Sequence, residues 1–191
     1  MRRLPRALML CALVLGLVGC ATQSPTTTET AGLNDLVRHG RFALRAESPN
    51  QVPDAVQGSF VWRDLGTRLT LDLANPFGNT LARVTVEPGQ ATLTQSNGEI
   101  LRASDPDGLV QQAIGERVPV RDLRQWLRVP LRSVPAMQQV KRDEKGRITA
   151  FEQNGWEVEL SRFDEQGPRL LVLSRNEGSK QIVIRLVVDV P

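Results

Sequence analysis

The sequence predicts a mainly β domain, in which about eleven short antiparallel strands form a strongly curved sheet or incomplete barrel with two short helices. Three observations predict this class. Apolar and polar residues alternate in most segments after residue 37, the period expected of strands with one buried face. Turn residues separate these segments at short intervals. Between residues 105 and 128 alone, the apolar spacing becomes helical.

The clearest strand signal is a hairpin at residues 68–86. Leu69, Leu71 and Leu73 alternate with polar residues, and the alternation resumes at Ala82 after the turn. Such alternation on both sides of a turn is typical of two paired strands with a common buried face. We therefore expect one face of this hairpin to pack against the core.

The turn of this hairpin contains an unexpected apolar residue. Pro76 restricts φ and Gly78 permits positive φ, so both suit a tight turn. Phe77 lies between them, although a hairpin tip is normally in water. Fully burying a phenylalanine is favourable by about 1.5–3 kcal/mol. Two interpretations stay open: Phe77 folds back onto its own sheet, or it contacts something outside the domain.

Strands are also predicted before and after the hairpin. Phe42 and Leu44 share one face of the first strand, and Phe60 and Trp62 share one face of the second. Two short strands follow the hairpin, and a further group follows the helices. The predicted ranges outside the hairpin and the first two strands are 90–94, 99–103, 139–143, 147–153, 156–163, 169–175 and 181–189.

Two amphipathic helices are predicted between these groups. Asp105 is a suitable N-cap, Pro106 suits the first helical position and Gly115 suits the end. The apolar residues at helical spacing in the first helix are Leu109, Val110, Ala113 and Ile114. Those of the second helix, predicted from residue 119 to about 128, are Leu123, Trp126 and Leu127. Because helices this short are marginal alone in water, we expect them to lie on the sheet.

The N-terminus has the pattern of a bacterial lipoprotein leader. Three arginines precede an apolar run at residues 7–18, and Cys20 ends the sequence LVGC. The run is shorter than the roughly 20 residues of a spanning helix and is typical of a signal peptide. LVGC resembles a lipobox, which implies a lipid-bearing Cys20. A plain signal peptide with an incidental cysteine is the alternative.

These segments predict three regions: a removed signal peptide at 1–19, the lipidated cysteine with a flexible tether at 20–32, and one domain at 33–191. The tether is rich in threonine and has no core-forming pattern. About 160 residues suffice for one hydrophobic core. The position after Cys20 is Ala21; in enterobacterial lipoproteins an aspartate there marks retention in the inner membrane, so we expect the outer membrane.

Charge and composition exclude several function classes. The chain has 24 Lys and Arg residues against 21 Asp and Glu residues, but three arginines belong to the leader, so the mature chain is formally neutral. Basic stripes with interleaved aromatic residues are absent, so we expect no nucleic-acid partner. Docking to other proteins would then depend on local patches such as Arg121, Arg124 and Arg128.

The sequence offers little catalytic chemistry. His39 is the only histidine, and the other cysteine, Cys11, lies in the leader, so no Cys/His nucleophile pair or transition-metal cluster is expected. The carboxylates are scattered in turns, and an Asp/Glu hydrolase pair is the remaining enzymatic alternative. We expect a protein that is not an enzyme and has no metal and no cofactor besides the acyl and diacylglyceryl group on Cys20.

A curved sheet with one apolar face and a short helical layer has two possible interiors. It forms either a solid core or a cavity for an apolar ligand. The pattern of residues by itself leaves both open.

Several motifs in succession resemble the LolB family of outer-membrane lipoprotein receptors. They follow the lipobox in order and span nearly the whole mature domain. They are GRFALR (40–45), QGSFVWRD (57–64), RLTLDLANPFGNTLARV (68–84), VPVRDLRQWL (118–127), QNGWEV (153–158) and IRLVVD (184–189).

The resemblance implies an open antiparallel barrel of about eleven strands with a helical lid over an apolar cavity. It implies a lipid-anchored protein on the periplasmic side of the outer membrane, which accepts acylated lipoproteins from a LolA-like periplasmic carrier and inserts them into the inner leaflet of that membrane. We expect a monomer. It makes Cys20 the anchor and Phe77, with Pro76 and Gly78, the membrane-inserting tip, where family members commonly have leucine. The expected cavity and lid residues are Phe42, Leu44, Phe60, Trp62, Leu69, Leu71, Leu73, Leu109, Leu123, Trp126, Leu127 and Trp156.

The rival interpretation is a lipid-anchored structural or scaffolding module of the cell envelope with a filled core. A cavity of several hundred Å³ under the helices is expected only for the lipoprotein receptor.

Overall fold

Eleven antiparallel strands and two helices make up the computed structural model, which describes residues 35–131 and 135–190. The leader, Cys20 and the tether lie outside the described residues. The strands are β1 (Leu36–Glu47), β2 (Asp54–Asp64), β3 (Leu69–Ala74), β4 (Thr80–Glu87), β5 (Gln90–Gln95), β6 (Ile100–Ala103), β7 (Gln138–Arg142), β8 (Ile148–Gln153), β9 (Trp156–Ser161), β10 (Leu170–Glu177) and β11 (Lys180–Val188), and the helices are α1 (Pro106–Ile114) and α2 (Val120–Trp126).

The strands form one sheet in the order β6-β5-β4-β3-β2-β1-β11-β10-β9-β8-β7. The first and last strands therefore lie side by side at its centre. In the described part of the chain no pairing joins the edge strands β6 and β7, so the sheet remains open rather than closing into a barrel. The predicted fold class, an open antiparallel sheet of about eleven strands with short helices, is confirmed.

The alternation seen in the sequence sets the inner face of the sheet. Along β1, every second residue is buried, including Phe42 and Leu44. Phe42 lies opposite Gly58 on one side and Leu186 on the other. A Cβ atom at Gly58 would overlap the carbonyl oxygen of Ala74 and press on the Phe42 ring. Glycine at this position thus permits β2, the end of β3 and the Phe42 ring to approach closely.

Helix α1 begins and ends as the sequence predicts. The Asp105 side chain accepts a hydrogen bond from the backbone N–H of Asp107 at 3.2 Å, as an N-cap does. Gly115 has φ 85° and donates its N–H to the Gln111 carbonyl, an end that glycine adopts readily. α1 packs against β4, β5 and β6.

Helix α2 is shorter than the predicted range of 119–128. It follows Pro119 and ends at Trp126, with Leu127 as its C-cap. Its apolar residues Leu123 and Trp126 are buried, as is Leu127. Among the described residues, no helix has the length and apolar character needed to cross a membrane.

Replacing Gly58 by alanine tests the close approach on the inner face. We expect G58A to lower the free energy of unfolding by about 1–3 kcal/mol, because the added methyl group must displace backbone or the Phe42 ring. Urea denaturation measures the change. S59A, one residue along the same strand, is the control and should stay within about 0.5 kcal/mol of the parent. Equal stability of G58A and S59A would contradict this packing.

Candidate functional site

An apolar cavity, called the chamber here, lies between the two helices and the inner face of the sheet. Its volume is about 40 Å³ and all its lining atoms are apolar. Strands on both sides of the sheet centre line one side of the chamber, and the two helices with their connection line the other side. The lining residues are Phe42, Leu44, Phe60, Trp62, Leu71, Leu73, Val110, Ile114, Val118, Leu123, Leu127, Ile184 and Leu186.

The chamber is closed in this conformation. Its 40 Å³ is well below the about 150 Å³ of a cavity that accepts benzene and the about 300–1,000 Å³ of common ligand pockets. The cavity of several hundred Å³ expected from the sequence is therefore too large for this state. The lining chemistry suits an apolar ligand, but the volume in this conformation is too small to hold one.

Eight of the twelve expected cavity and lid residues line the chamber: Phe42, Leu44, Phe60, Trp62, Leu71, Leu73, Leu123 and Leu127. The other four are buried elsewhere. Trp126 packs edge-on against Phe151 at 5.4 Å between ring centroids. The guanidinium of Arg175 lies 4.6 Å from the ring centroid of Trp156. Leu69 and Leu109 are also in the core without lining the chamber.

A buried carboxylate fastens α2 to one end of the sheet. Asp64, at the end of β2, is 1% exposed. Arg124 donates to it from Nε at 2.9 Å and from Nη2 at 2.7 Å, and Arg128 donates from Nη2 at 2.8 Å. Burial alone raises the pKa of Asp64, but the hydrogen bonds and charges of the two arginines outweigh it, and the pKa lies below its usual value. Asp64 is thus ionised at neutral pH.

A second buried network reinforces the same end. Arg38 on β1 is 2% exposed and donates from Nη1 to both carboxylate oxygens of Asp164, at 2.8 and 2.9 Å. Its Nη2 donates to the Pro168 carbonyl at 2.7 Å. The backbone N–H of Val129, just after α2, donates to the Gln166 carbonyl at 2.9 Å. The loop after β9 is therefore tied to both β1 and the chain that follows α2.

The helical layer is also held at the opposite end of the sheet. There the β8–β9 turn contacts α2: Trp126 donates to Oε1 of Gln153 at 3.2 Å, and Asp122 accepts from Nδ2 of Asn154 at 2.9 Å. An ion pair adds to these contacts. Glu116, in the connection between the helices, accepts a hydrogen bond from Nζ of Lys180 at the start of β11.

The strand pairings show that Lys180 and Asp64 lie at opposite ends of the sheet. Gln181, which follows Lys180, lies opposite Glu47 at the end of β1, whereas Asp64 lies opposite Leu36 at the start of β1. The end marked by Asp64 is called the Asp64 end here. The end marked by Lys180 is called the hairpin end, because the β3–β4 turn extends toward it.

The tip of the β3–β4 hairpin exposes its phenylalanine. Phe77 is 90% exposed, so it does not fold back onto its own sheet. Asn75 orders the turn by accepting hydrogen bonds on Oδ1 from the backbone N–H groups of Phe77 and Asn79, both at 3.0 Å. The backbone around Phe77 is thus held in place while its side chain is presented to the surroundings.

A surface groove of about 350 Å³ lies at the base of this hairpin. It is called the hairpin groove here, and its lining residues are Arg41, Phe42, Gln57, Gly58, Ser59, Asn75, Pro76 and Gly78. β3 pairs with β2 only from Ser59 to Asp64, so residues 54–58 of β2 have no strand partner on that side among the described residues. Phe42 also lines the chamber and is the residue that the two linings share.

The structure changes the interpretation of the three arginines predicted as a docking patch. Arg124 and Arg128 bind Asp64, and Arg121 donates to the Ser104 carbonyl at 2.7 Å. These side chains hold the helical layer, and a docking role for them stays a prediction. Sequence reasoning missed buried Arg38 and Asp64, although a signal was present: Arg38 is in phase with Phe42 on β1, and Asp64 is in phase with Trp62 on β2. In the described ranges, no group of three or more His, Cys, Asp or Glu residues is placed to hold a metal ion.

Comparison with known proteins identifies the family. The sequence model of the family described as "Outer membrane lipoprotein LolB" matches residues 36–190. The chain belongs to the LolB family. It is 47% identical over 182 residues to the outer-membrane lipoprotein LolB of Bordetella petrii, covering 95% of this chain and 89% of that protein. It is 48% identical over 185 residues to the LolB of Bordetella parapertussis, covering 97% and 92%.

A solved structure of a LolA superfamily protein from Nitrosomonas europaea matches with 11% identity and a TM-score of 0.44, covering 81% of this chain and 87% of that one. The similarity to these LolB proteins shows that this protein is a lipid-anchored lipoprotein of the outer membrane and that it functions in lipoprotein localisation. They give no support to the alternative of a scaffolding module.

Removing the charge of Asp64 tests the attachment of α2. We expect D64N to lower the free energy of unfolding at pH 7 by about 1–3 kcal/mol, because the two arginines lose the negative charge and one of the two acceptor oxygens that they bind. D72N is the control: Asp72 pairs with Arg63 and Arg83 on the surface, and its loss should change stability by at most about 1 kcal/mol. Urea denaturation measures both.

The same pair of proteins has an expected pH dependence. The folded-state pKa of Asp64 is lowered. The ionised carboxylate therefore makes its full contribution to the free energy of unfolding above the unfolded-state pKa of about 3.9, and this contribution is lost as the pH falls through the folded-state pKa. The difference in free energy of unfolding between the parent and D64N should be constant above about pH 5 and should shrink below about pH 4. A difference that grows in acid would contradict this assignment.

Proposed function

We propose that this protein receives acylated lipoproteins from a LolA-like periplasmic carrier, shelters their acyl chains in the chamber and releases them into the outer membrane. The observation that carries the proposal is a chamber with wholly apolar walls beneath a helical layer in a member of the LolB family. The exposed Phe77 at the hairpin tip is the second support.

Apolar shelter is what such a cargo requires in water. Each CH₂ group transferred from water to an apolar site contributes about 0.8 kcal/mol, so the acyl chains of a lipoprotein do not cross the periplasm unshielded. The chamber offers contacts of this kind, and the bilayer offers more. Because the bilayer offers the acyl chains more apolar contact than the chamber does, their transfer from the chamber to the bilayer is favourable and needs no nucleotide.

Acyl chains enter only if the helical layer moves away from the sheet. The Asp64 end is fastened by Asp64 with two arginines and, beside it, by Arg38 with Asp164. The hairpin end has the pair of Glu116 and Lys180, whose lysine is one-third exposed, and the hydrogen bonds of Trp126 to Gln153 and of Asn154 to Asp122. An ion pair open to water contributes about 0–1 kcal/mol and one hydrogen bond about 0.5–1.5 kcal/mol, whereas separating buried paired charges is strongly destabilising. We therefore propose that the layer opens at the hairpin end and stays attached at the Asp64 end.

The hairpin groove is the proposed route between the chamber and the membrane. It lies where β2 lacks a neighbour, and Phe42 alone is shared between its lining and that of the chamber. Rotation of the Phe42 side chain would join the two spaces. An acyl chain leaving by this route emerges beside Phe77, whose burial in the membrane interface is favourable by about 1.5–3 kcal/mol.

Anchoring keeps this route close to its target. We propose that Cys20 carries the acyl and diacylglyceryl group, since several chains give stable attachment whereas one gives only marginal binding. The threonine-rich tether at 20–32 lets the domain turn its hairpin end toward the inner leaflet. The protein acts as a monomer, with Phe77, Pro76 and Gly78 as the tip that meets the membrane.

Replacing Phe77 by glutamate separates acceptance from delivery. We expect F77E to accept a fluorescent lipoprotein from the carrier at the parental rate, because the tip is outside the chamber. Delivery to vesicles of outer-membrane phospholipids should fall about tenfold or more, since about 1.4 kcal/mol of lost insertion is a factor of ten. F77L is the control and should deliver like the parent. Equal losses in both steps would contradict a role confined to the tip.

Fastening the hairpin end tests the opening of the helical layer. Cysteines at positions 116 and 180 (E116C and K180C) joined by a short bis-maleimide should block acceptance, because the layer no longer separates from the sheet. The same double variant, treated with a mono-maleimide, is the control and should accept cargo at least as fast as the parent. Unchanged acceptance after cross-linking would overturn opening at this end.

A further inference from the structure

A second turn at the hairpin end exposes a large apolar side chain. Val52, in the loop between β1 and β2, is 90% exposed, the same fraction as Phe77. The other exposed large apolar residues are Val37, Ile100 and Val190, at 47%, 49% and 65%. Single exposed apolar residues are common on protein surfaces, so Val52 indicates a partner only if further observations point to one.

The strand order places Val52 and Phe77 in turns on the two sides of the hairpin groove. β1 ends at the hairpin end and β2 returns from it, so the β1–β2 loop lies at the same end as the β3–β4 turn. One wall of the groove comes from β1 and β2, and the other comes from the turn that contains Phe77. The mouth of the proposed route for acyl chains thus lies between these two turns.

Both turns present their apolar residue on a restricted backbone. Gln51 donates its N–H to the Ser48 carbonyl at 3.3 Å, and Pro53 disfavours the helical region for Val52. The other turn is ordered by the hydrogen bonds of Asn75. Because these turns have little backbone freedom left to lose, contact of their side chains with another phase has a small entropic cost.

Charge distinguishes the two ends of the sheet. Within residues 36–103 and 138–188, the turns that join successive strands at the hairpin end are 48–53, 75–79, 96–99, 154–155 and 178–179. Glu99 is the only charged residue in these turns. At the Asp64 end, by contrast, the turns 143–147 and 162–169 contain four charged residues each.

This asymmetry indicates which end is suited to contact with lipid. Charged residues at the hairpin end lie at the strand ends beside the turns. Glu47, Glu177 and Lys180 there are in ion pairs, and Asp54 begins β2. Since transferring a charge out of water is costly, a surface that enters a membrane interface requires uncharged turns. The hairpin end has them, and it also has the two most exposed apolar side chains.

We infer that Val52 inserts into the membrane together with Phe77, so that the two turns hold the mouth of the hairpin groove against the lipid. The inference rests on the proposed function, in which Phe77 meets the membrane, and adds a second point of contact. One inserted residue lets the domain pivot about it. Two inserted residues in separate turns fix the groove relative to the membrane, so an acyl chain that leaves it meets lipid rather than water.

A fluorescent label at position 52 tests the contact directly. In the chain from residue 20 onward, C20S removes the only cysteine, so V52C, F77C and V190C each carry one NBD group. An N-terminal histidine tag holds each protein on vesicles of phosphatidylethanolamine and phosphatidylglycerol that contain a nickel-chelating lipid. Labels at 52 and 77 should brighten, shift their emission to shorter wavelength and lose their quenching by iodide. The label at 190 should not, because Asp189 binds His39 near the start of β1, at the Asp64 end.

Each pattern of responses has a distinct meaning. A response at 77 without one at 52 would overturn the inference and leave the proposed function standing. A response at 52 without one at 77 would support the inference and contradict the proposed tip. Equal responses at 52, 77 and 190 would overturn the inference, because the hairpin end would not be the preferred contact. No response at 52 or 77 would overturn both the inference and the proposed tip.

Cargo transfer separates lipid from the carrier as the partner of Val52. V52E should accept a fluorescent lipoprotein at the parental rate and deliver about tenfold less to vesicles, the ratio that corresponds to about 1.4 kcal/mol of lost insertion. V190E adds the same charge at the Asp64 end and should deliver like the parent. Slower acceptance by V52E with parental delivery of preloaded cargo would assign Val52 to the carrier and overturn the inference, as would parental rates in both steps.

Discussion

The inner face of the sheet is so apolar that it has to be covered, and this constraint shapes the molecule. Side chains such as Phe42, Phe60 and Leu186 lie on one concave surface, and exposing them to water costs about 25 cal/mol for each Å². In the described conformation the two helices cover it and leave only about 40 Å³. In the proposed function an acyl chain replaces the helices as the cover of this surface. Because both offer hydrocarbon, the exchange involves no large net loss of apolar contact.

The polar groups decide where that exchange takes place. Buried, multiply bonded charges such as Asp64 and Arg38 lie at one end of the sheet. Breaking the contacts of these charges is strongly destabilising, because it would leave a buried charge without a partner. At the other end, the pair of Lys180 and Glu116 reaches water, and α2 is held by the hydrogen bonds of Trp126 and Asp122 to the β8–β9 turn. Separating these contacts is less unfavourable than separating the buried charges, so the helical layer is held more strongly at the Asp64 end than at the hairpin end.

Phe77 departs from the ordinary rules of folding. Phe77 places an aromatic ring in water at a turn that Asn75 holds rigid. This exposure is unfavourable for the isolated domain, and in the proposed function it becomes favourable when the ring enters the membrane. Local departures of this kind are expected at functional sites.

Local interactions determined what the sequence itself could reveal: the alternation of Leu69, Leu71 and Leu73, the cap at Asp105, and the turn that displays Phe77. Each depends on residues a few positions apart, so period and turn chemistry suffice to predict it. The tertiary structure alone decided the volume of the chamber and the role of Asp64, whose partner Arg124 is 60 positions away. It also placed Trp126 and Trp156 outside the chamber lining. Periodicity shows that a side chain is buried, whereas its neighbours depend on how distant elements pack together.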